Sequence, residues 1–106
     1  MSISYNVDRT KWAQLDIFNQ MGNIYSEVGR SFKSSGHDRQ QAMARAIDLF
    51  DATTELLVKT KSPKLKEVLR AKEEYLNLIT RDDQKQEEKN SLDSYFMHFA
   101  IAARLR

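Results

Sequence analysis

Asn23-Ile24-Tyr25-Ser26-Glu27-Val28-Gly29-Arg30 lies in the middle of the first long helical pattern, and its periodicity decides the fold. At about 100° per residue, Ile17, Phe18, Met21, Ile24, Tyr25, Val28 and Phe32 share one arc. Gly22, Ser26 and Gly29 form a strip of small residues beside it. Asp16, Asn19, Gln20, Asn23, Glu27 and Arg30 fall opposite the apolar arc. Each helix-interior glycine costs about 1 kcal/mol against Ala, so the strip predicts close approach by a neighbouring helix. This first helix reads from a cap at Asp8 or Thr10 to about Ser34, after a polar arm over residues 1–7. Trp12 reads as the cover of one end of a bundle.

Three further helices follow. Gly36 suits the left-handed position that ends a helix. Asp38 with Gln41 forms a capping-box pattern that starts a second helix, from about Arg39 to Thr60. Its inner face reads as Ala42, Met43, Ala46, Leu49, Phe50, Thr53, Leu56 and Leu57, and its outer face as Asp48, Asp51, Glu55 and Lys59. Ser62-Pro63 caps and opens a third helix, to about Thr80, with Leu65, Val68, Leu69, Leu76 and Ile79 inward. Residues 81–90 have no apolar side chain and read as a solvated connection, with a possible extension of helix three. Ser91 caps a fourth helix that runs to the end, with Leu92, Tyr95, Phe96, Phe99, Ala102 and Ala103 in one stripe. The expected fold is all-α, an up-down-up-down four-helix bundle in one domain over residues 1–106.

Composition agrees. Three glycines and one proline are too few for the reversals of an all-β chain. The absence of cysteine excludes disulfides, thiolate metal sites and cysteine nucleophiles, and fits a cytoplasmic protein. The first residues lack a secretory signal pattern, and no apolar run has the length of a membrane span. No membrane partner and no cofactor is expected.

Two surfaces stand out. Met97, Ile101 and Leu105 form a second apolar stripe on helix four. A helix apolar nearly all round is central or covered. In a four-helix bundle that points to a homo-oligomer interface, or to cover by the N-terminal arm. The second surface is basic. An up-down topology gathers Arg9, Lys11, Lys59, Lys61, Lys64, Lys66, Arg104 and Arg106 at one end, against Asp8 and Glu67, on a chain whose net charge is only +2. Such an end is a candidate nucleic-acid footprint; the alternative is a wet, charged bundle end. There is no glycine-rich RNA motif and no aromatic ladder among the lysines.

Catalytic patterns are weak. Asn23, Glu27 and Arg30 share a helix face, where Glu27 orients Arg30 toward an anion, or where the row is a subunit contact or simply exposed. Asp48, Asp51 and Glu55 form an outward acidic row without the Glu-x-x-His of bundle metal sites, and read as a solvated face. His98 reads as an interface or partly buried residue. Arg30 and His37, with six residues between them, resemble the loose Arg-to-His spacing of HEPN-domain ribonucleases, also four-helix bundles. Ser31 and the helix-breaking Gly36 depart from that pattern. The resemblance would make Arg30 and His37 an acid–base pair for RNA cleavage.

Asn23-Ile24, Glu27, Gly29 and Arg30, followed by Ala46-Ile47-Asp48-Leu49-Phe50-Asp51 and Glu55-Leu56, resemble the small four-helix-bundle proteins typified by the ribosomal-RNA intervening-sequence protein. The accessory variability determinants of diversity-generating retroelements are similar in architecture. This resemblance implies a non-enzymatic bundle in a ring, often a pentamer, with a basic surface for nucleic acid. In the retroelement case it implies a reverse transcriptase or other nucleoprotein partner. A purely structural protein-interaction bundle is the remaining reading.

Overall fold

The structure is a computed structural model that describes residues 5–81 and 86–104; the side chains of residues 86, 88 and 100–104 lie outside the description. The described chain is helical without strands, in five helices of which four are long. They are α1 (Arg9–Trp12), α2 (Ile17–Lys33), α3 (Gly36–Lys59), α4 (Leu65–Ile79) and α5 (Gln86–Arg104). The long helices pack in a cycle, α2 on α3, α3 on α4, α4 on α5 and α5 on α2, and α1 packs on α3.

The first helical pattern is not one helix, contrary to the expectation from periodicity. Asp8 caps α1 by accepting from the amides of Thr10 and Lys11, and Asp16 caps α2 by accepting from Asn19. The break is held by a side chain. The Gln20 carboxamide donates to the carbonyls of Trp12, at 3.1 Å, and Leu15, at 2.9 Å. These carbonyls lie at and just past the end of α1, where a helix runs short of internal donors; the Trp12 carbonyl also accepts from the Leu15 amide. The Gln20 oxygen accepts from the Thr53 hydroxyl at 3.0 Å, and Thr53 accepts from the Trp12 indole N–H at 2.9 Å. A closed polar circuit thus ties α1, α2 and α3 together while all three side chains are buried. Gln20, assigned to the wet side by its helical angle, belongs to the core.

Three other boundaries shift. Helix α3 starts at Gly36, which adopts a positive φ of 58°, with Ser35 rather than Asp38 at the cap position. Gln41 bonds the His37 ring instead of completing a box around Asp38. Helix α4 starts at Leu65, with Lys64 rather than Ser62 at the cap position and no side-chain cap bond; the Ser62 hydroxyl accepts from the Lys64 amide in the turn before it. Helix α5 starts at Gln86, so Ser91 is inside the helix and does not cap it. The added turn is anchored where Lys89 lies over the Phe32 ring, 5.3 Å from its centroid.

The core is one cluster that draws on all five helices. Met21, Ile24 and Val28 meet Ala46, Leu49, Phe50, Leu57, Val68, Leu92, Phe96 and Phe99, as their periodicity predicts. On α4 the inward face is rotated from expectation. Ala71, Tyr75 and Leu78 are buried, whereas Leu69 is 46% exposed. Tyr75 sets that rotation. Its ring packs edge-on to Phe32 and beside Phe50, and its hydroxyl donates to Ser31 at 2.8 Å. Ser31 donates in turn to the Val28 carbonyl, so both buried hydroxyls are satisfied. Burial pushes the Tyr75 hydroxyl above its ordinary pKa, with the Ser31 bond opposing.

Thr53→Val keeps the shape of the core but leaves the Trp12 indole N–H and the Gln20 oxygen without a partner. A loss of about 2–3 kcal/mol is expected in urea unfolding, together with a shift in the fluorescence of the single tryptophan. A stability within a few tenths of a kcal/mol of the unchanged chain would show that the circuit contributes nothing.

Candidate nucleic-acid interface

The sequence places eight basic side chains at one end. In the structure, α1 and the start of α2 meet the end of α3, the turn into α4 and the later part of α5. Arg9 reaches Glu55, a groove brings Arg9 and Trp12 beside Lys59, and Lys64 lies over both Phe18 and Phe99. Lys11, Lys59, Lys61 and Lys66 are exposed at this end and make no ion pair among the described residues. The turn between Lys59 and Lys64 is tight, with Lys61 at a positive φ of 54° and its amide bonded to the Val58 carbonyl. It therefore presents these lysines on a short, fixed connection.

Two of the eight cations are already used inside the chain. Arg9 pairs with Asp48 at 2.8 Å and with Glu55 at 3.1 Å, and the hydrogen bond from Arg9 to Asp48 is the chief cause that raises the guanidinium pKa. The same Asp48 oxygen accepts from the Val7 amide at 2.6 Å. Asp48 and Glu55, read as a solvated acidic row, are thus the seat of the N-terminal segment. Asp51, the third member, pairs with Lys72 of α4. Among the described residues no cluster of His, Asp or Glu could hold a metal ion. Lys64, the second engaged cation, sits 5.7 Å from the Phe18 centroid and 5.9 Å from that of Phe99. Arg104 belongs to α5 by its backbone, but its side chain, and all of Arg106, lie outside the described residues.

Aromatic side chains do meet the lysines here, although none neighbours them in sequence. Phe18 from α2 and Tyr95 and Phe99 from α5 line a cleft of about 470 Å³ together with Lys64, just before α4, and Glu67 of α4. His98, expected at an interface or partly buried, is exposed and lines the same cleft. The only sequence signal was helical spacing: Ser91, Tyr95 and His98 recur at i, i+4 and i+7.

The row on α2 is divided. Asn23 donates to the Asn19 carbonyl on its own helix, and Arg30 pairs with Glu27 at 3.0 Å. Glu27 is not on a wet face, since its side chain is only 16% exposed. His37 contacts Gln41, so Arg30 and His37 each bond within their own helix.

The small strip has no close neighbour. A methyl group built on Gly22 or Gly29 would meet nothing within 4 Å, so the expected close approach does not occur among the described residues. Ser26 instead donates to the Gly22 carbonyl. Ser26 and Gly29 line an open groove against Lys89 and Asp93 of α5. Met97, one helical turn beyond Asp93, is 47% exposed. Residues 5–7 run along α3, where Tyr5 lies against Arg45 and Val7 bonds Asp48, so this part of the arm does not cover Met97. Ile101 lies in α5 with its side chain outside the description, as is all of Leu105.

No family model, curated protein or solved structure matches the chain. No helix among the described residues is long and apolar enough to cross a membrane.

Asp48→Ala frees the Val7 amide and leaves Arg9 with Glu55 as its one carboxylate partner. Because Arg9 is partly exposed and water screens the pair, a loss of about 1 kcal/mol is expected in urea unfolding. Limited trypsin digestion should then cut faster after Arg9 and Lys11 than in the unchanged chain. Equal rates would mean that Asp48 does not hold the N-terminal segment.

Proposed function

We propose that this protein is a non-enzymatic, homo-oligomeric helical-bundle accessory protein that binds nucleic acid, free or within a nucleoprotein, through its basic end. The observation that carries this reading is the set of exposed, unpaired lysines Lys11, Lys59, Lys61 and Lys66 on converging elements. Structural ion pairs at this end use the acidic residues of α3 on Arg9 and leave these four lysines free. Lysines at the start of α4 oppose its dipole, so helix stability does not account for them. A polyanion would. Each phosphate they neutralise releases condensed counterions, which favours binding at low salt.

An up-down-up-down arrangement of the long helices supports the same reading. Arg39, early in α3, donates to the Ile79 carbonyl at the end of α4. Phe18, early in α2, packs against Phe99, late in α5. Both contacts are those of antiparallel neighbours. The non-enzymatic part rests on Arg30 and His37 being engaged locally, by Glu27 and Gln41. The oligomeric part rests on the uncovered Gly22/Ser26/Gly29 strip and the exposed Met97 beside it. A ring of copies would repeat the basic end around one axis, and a reverse transcriptase bearing RNA would offer it the same phosphates.

Binding of labelled RNA or DNA duplex, followed by fluorescence anisotropy across a salt series, tests the reading. Four neutralised phosphates give a slope of log affinity against log salt of roughly −3 to −4. Each Lys→Ala change among the four should reduce its magnitude by about 1. No binding at low salt, or a flat response, removes the nucleic-acid reading. Light scattering tests assembly: the chain should have a multiple of its own mass, and Met97→Glu should lower it. A strict monomer would remove the oligomeric part.

A further inference from the structure

Lys64 and the cleft beside it combine features that a phosphate-binding end alone does not need. The cleft, of about 470 Å³, falls within the size range of small-ligand sites. The buried Phe99 and the half-buried Phe18 and Tyr95 line it. Along its edges lie Ser91, His98 and Glu67, none of which has a hydrogen-bond or ion-pair partner among the described residues. The Tyr95 hydroxyl is likewise without one.

Glu67 decides what fits. A phosphate inside the cleft would face this carboxylate, so the cleft is not an anion site. A purely apolar group would leave its polar edges unused. A planar ring with donors and acceptors on its rim uses both, by stacking on the aromatic side chains and bonding Ser91, His98 and Glu67. Lys64 stands at the boundary. Lys64 is half-buried, and its ammonium rests over two rings, an arrangement worth about 0.5–2 kcal/mol, less than a direct ion pair with a phosphate can supply. It can therefore turn to a phosphate at the mouth, in line with Lys61 and Lys66. In a duplex the bases are stacked and their pairing edges are occupied. Only an unpaired base can leave its strand and enter.

We infer that this cleft takes one unpaired nucleobase, and that the basic end therefore prefers single-stranded to duplex nucleic acid. The inference rests on the nucleic-acid reading above and adds to it a strand preference and a base site.

The test uses a short single strand carrying a fluorescent purine analogue, and the matching duplex, at one salt concentration. The single strand should bind about tenfold more tightly, as one base–aromatic stack provides, with quenching of the analogue. Tyr95→Ala should abolish the preference and Tyr95→Phe should keep it. Tyr95 also packs against the core, so Ser91→Leu, at an exposed position, serves as a second variant that fills the cleft without touching the core. It should reduce single-strand affinity to the duplex level and leave duplex affinity unchanged. Equal affinity for the two forms, with dependence on Lys59, Lys61 and Lys66 intact, overturns the cleft inference and leaves the nucleic-acid reading standing. So does a preference for the single strand that survives Ser91→Leu with the quenching unchanged. Failure to bind either form at low salt overturns both.

Discussion

The hydrogen-bond circuit of Trp12, Thr53 and Gln20 is the constraint on which the basic end depends. It converts a break in the first helix from a defect into a joint. Without Gln20, the part-buried Leu15 carbonyl would lose this donor and the Trp12 carbonyl would keep only the Leu15 amide; an unpaired buried acceptor costs about 1–3 kcal/mol. With Gln20, α1 is fixed across α3. That fixed α1 brings Arg9 to Asp48 and Glu55, and carries Lys11 to the end where the turn between α3 and α4 presents its lysines. The circuit is polar but fully paired, the condition under which buried polar groups specify a geometry instead of loosening it.

Helical periodicity made much of the core legible, because it is a property of one helix at a time. Met21, Ile24 and Val28 on α2, Ala46, Phe50 and Thr53 on α3, and Leu92, Phe96 and Phe99 on α5 face inward as their spacing predicts. Periodicity fails where a polar side chain finds a partner far along the chain. Gln20 and Thr53 are 33 residues apart, and Ser31 and Tyr75 are 44 apart. No local pattern marks either pair. Leu69 fails for a related reason: once Tyr75 is drawn inward to Ser31, α4 is rotated and Leu69 faces out.

The same distinction applies to charge. Composition and topology place cations at one end, but they do not say which cations are already paired. Arg9 looked equivalent to Lys11 in the sequence, yet it is consumed by an acidic row that looked idle. Arginine suits that structural task, since its planar, weakly hydrated head serves two carboxylates at once. The lysines left over are compact, hydrated charges on flexible stems, suited to contacts that form and break. The division of labour between one arginine and four lysines is the strongest physical argument that the excess charge is directed outward.

Glycines on α2 carry a parallel lesson. Their helix-interior cost of about 1 kcal/mol each was expected to be offset by close packing inside the chain, and at Gly22 and Gly29 there is no atom near enough to supply it. Among the described residues, nothing packs closely enough on these two positions to offset it. Ser26 and Gly29 border α5 at an open groove, and Met97 is exposed one turn beyond Asp93; this is the face on which the proposed second copy would pack. That face lies on the α2–α5 seam, whereas the aromatic cleft is lined by Phe18 at the start of α2, Lys64 and Glu67 about the start of α4, and α5. The two share α5 but no lining residue, so the proposed second copy and the proposed base would touch different side chains.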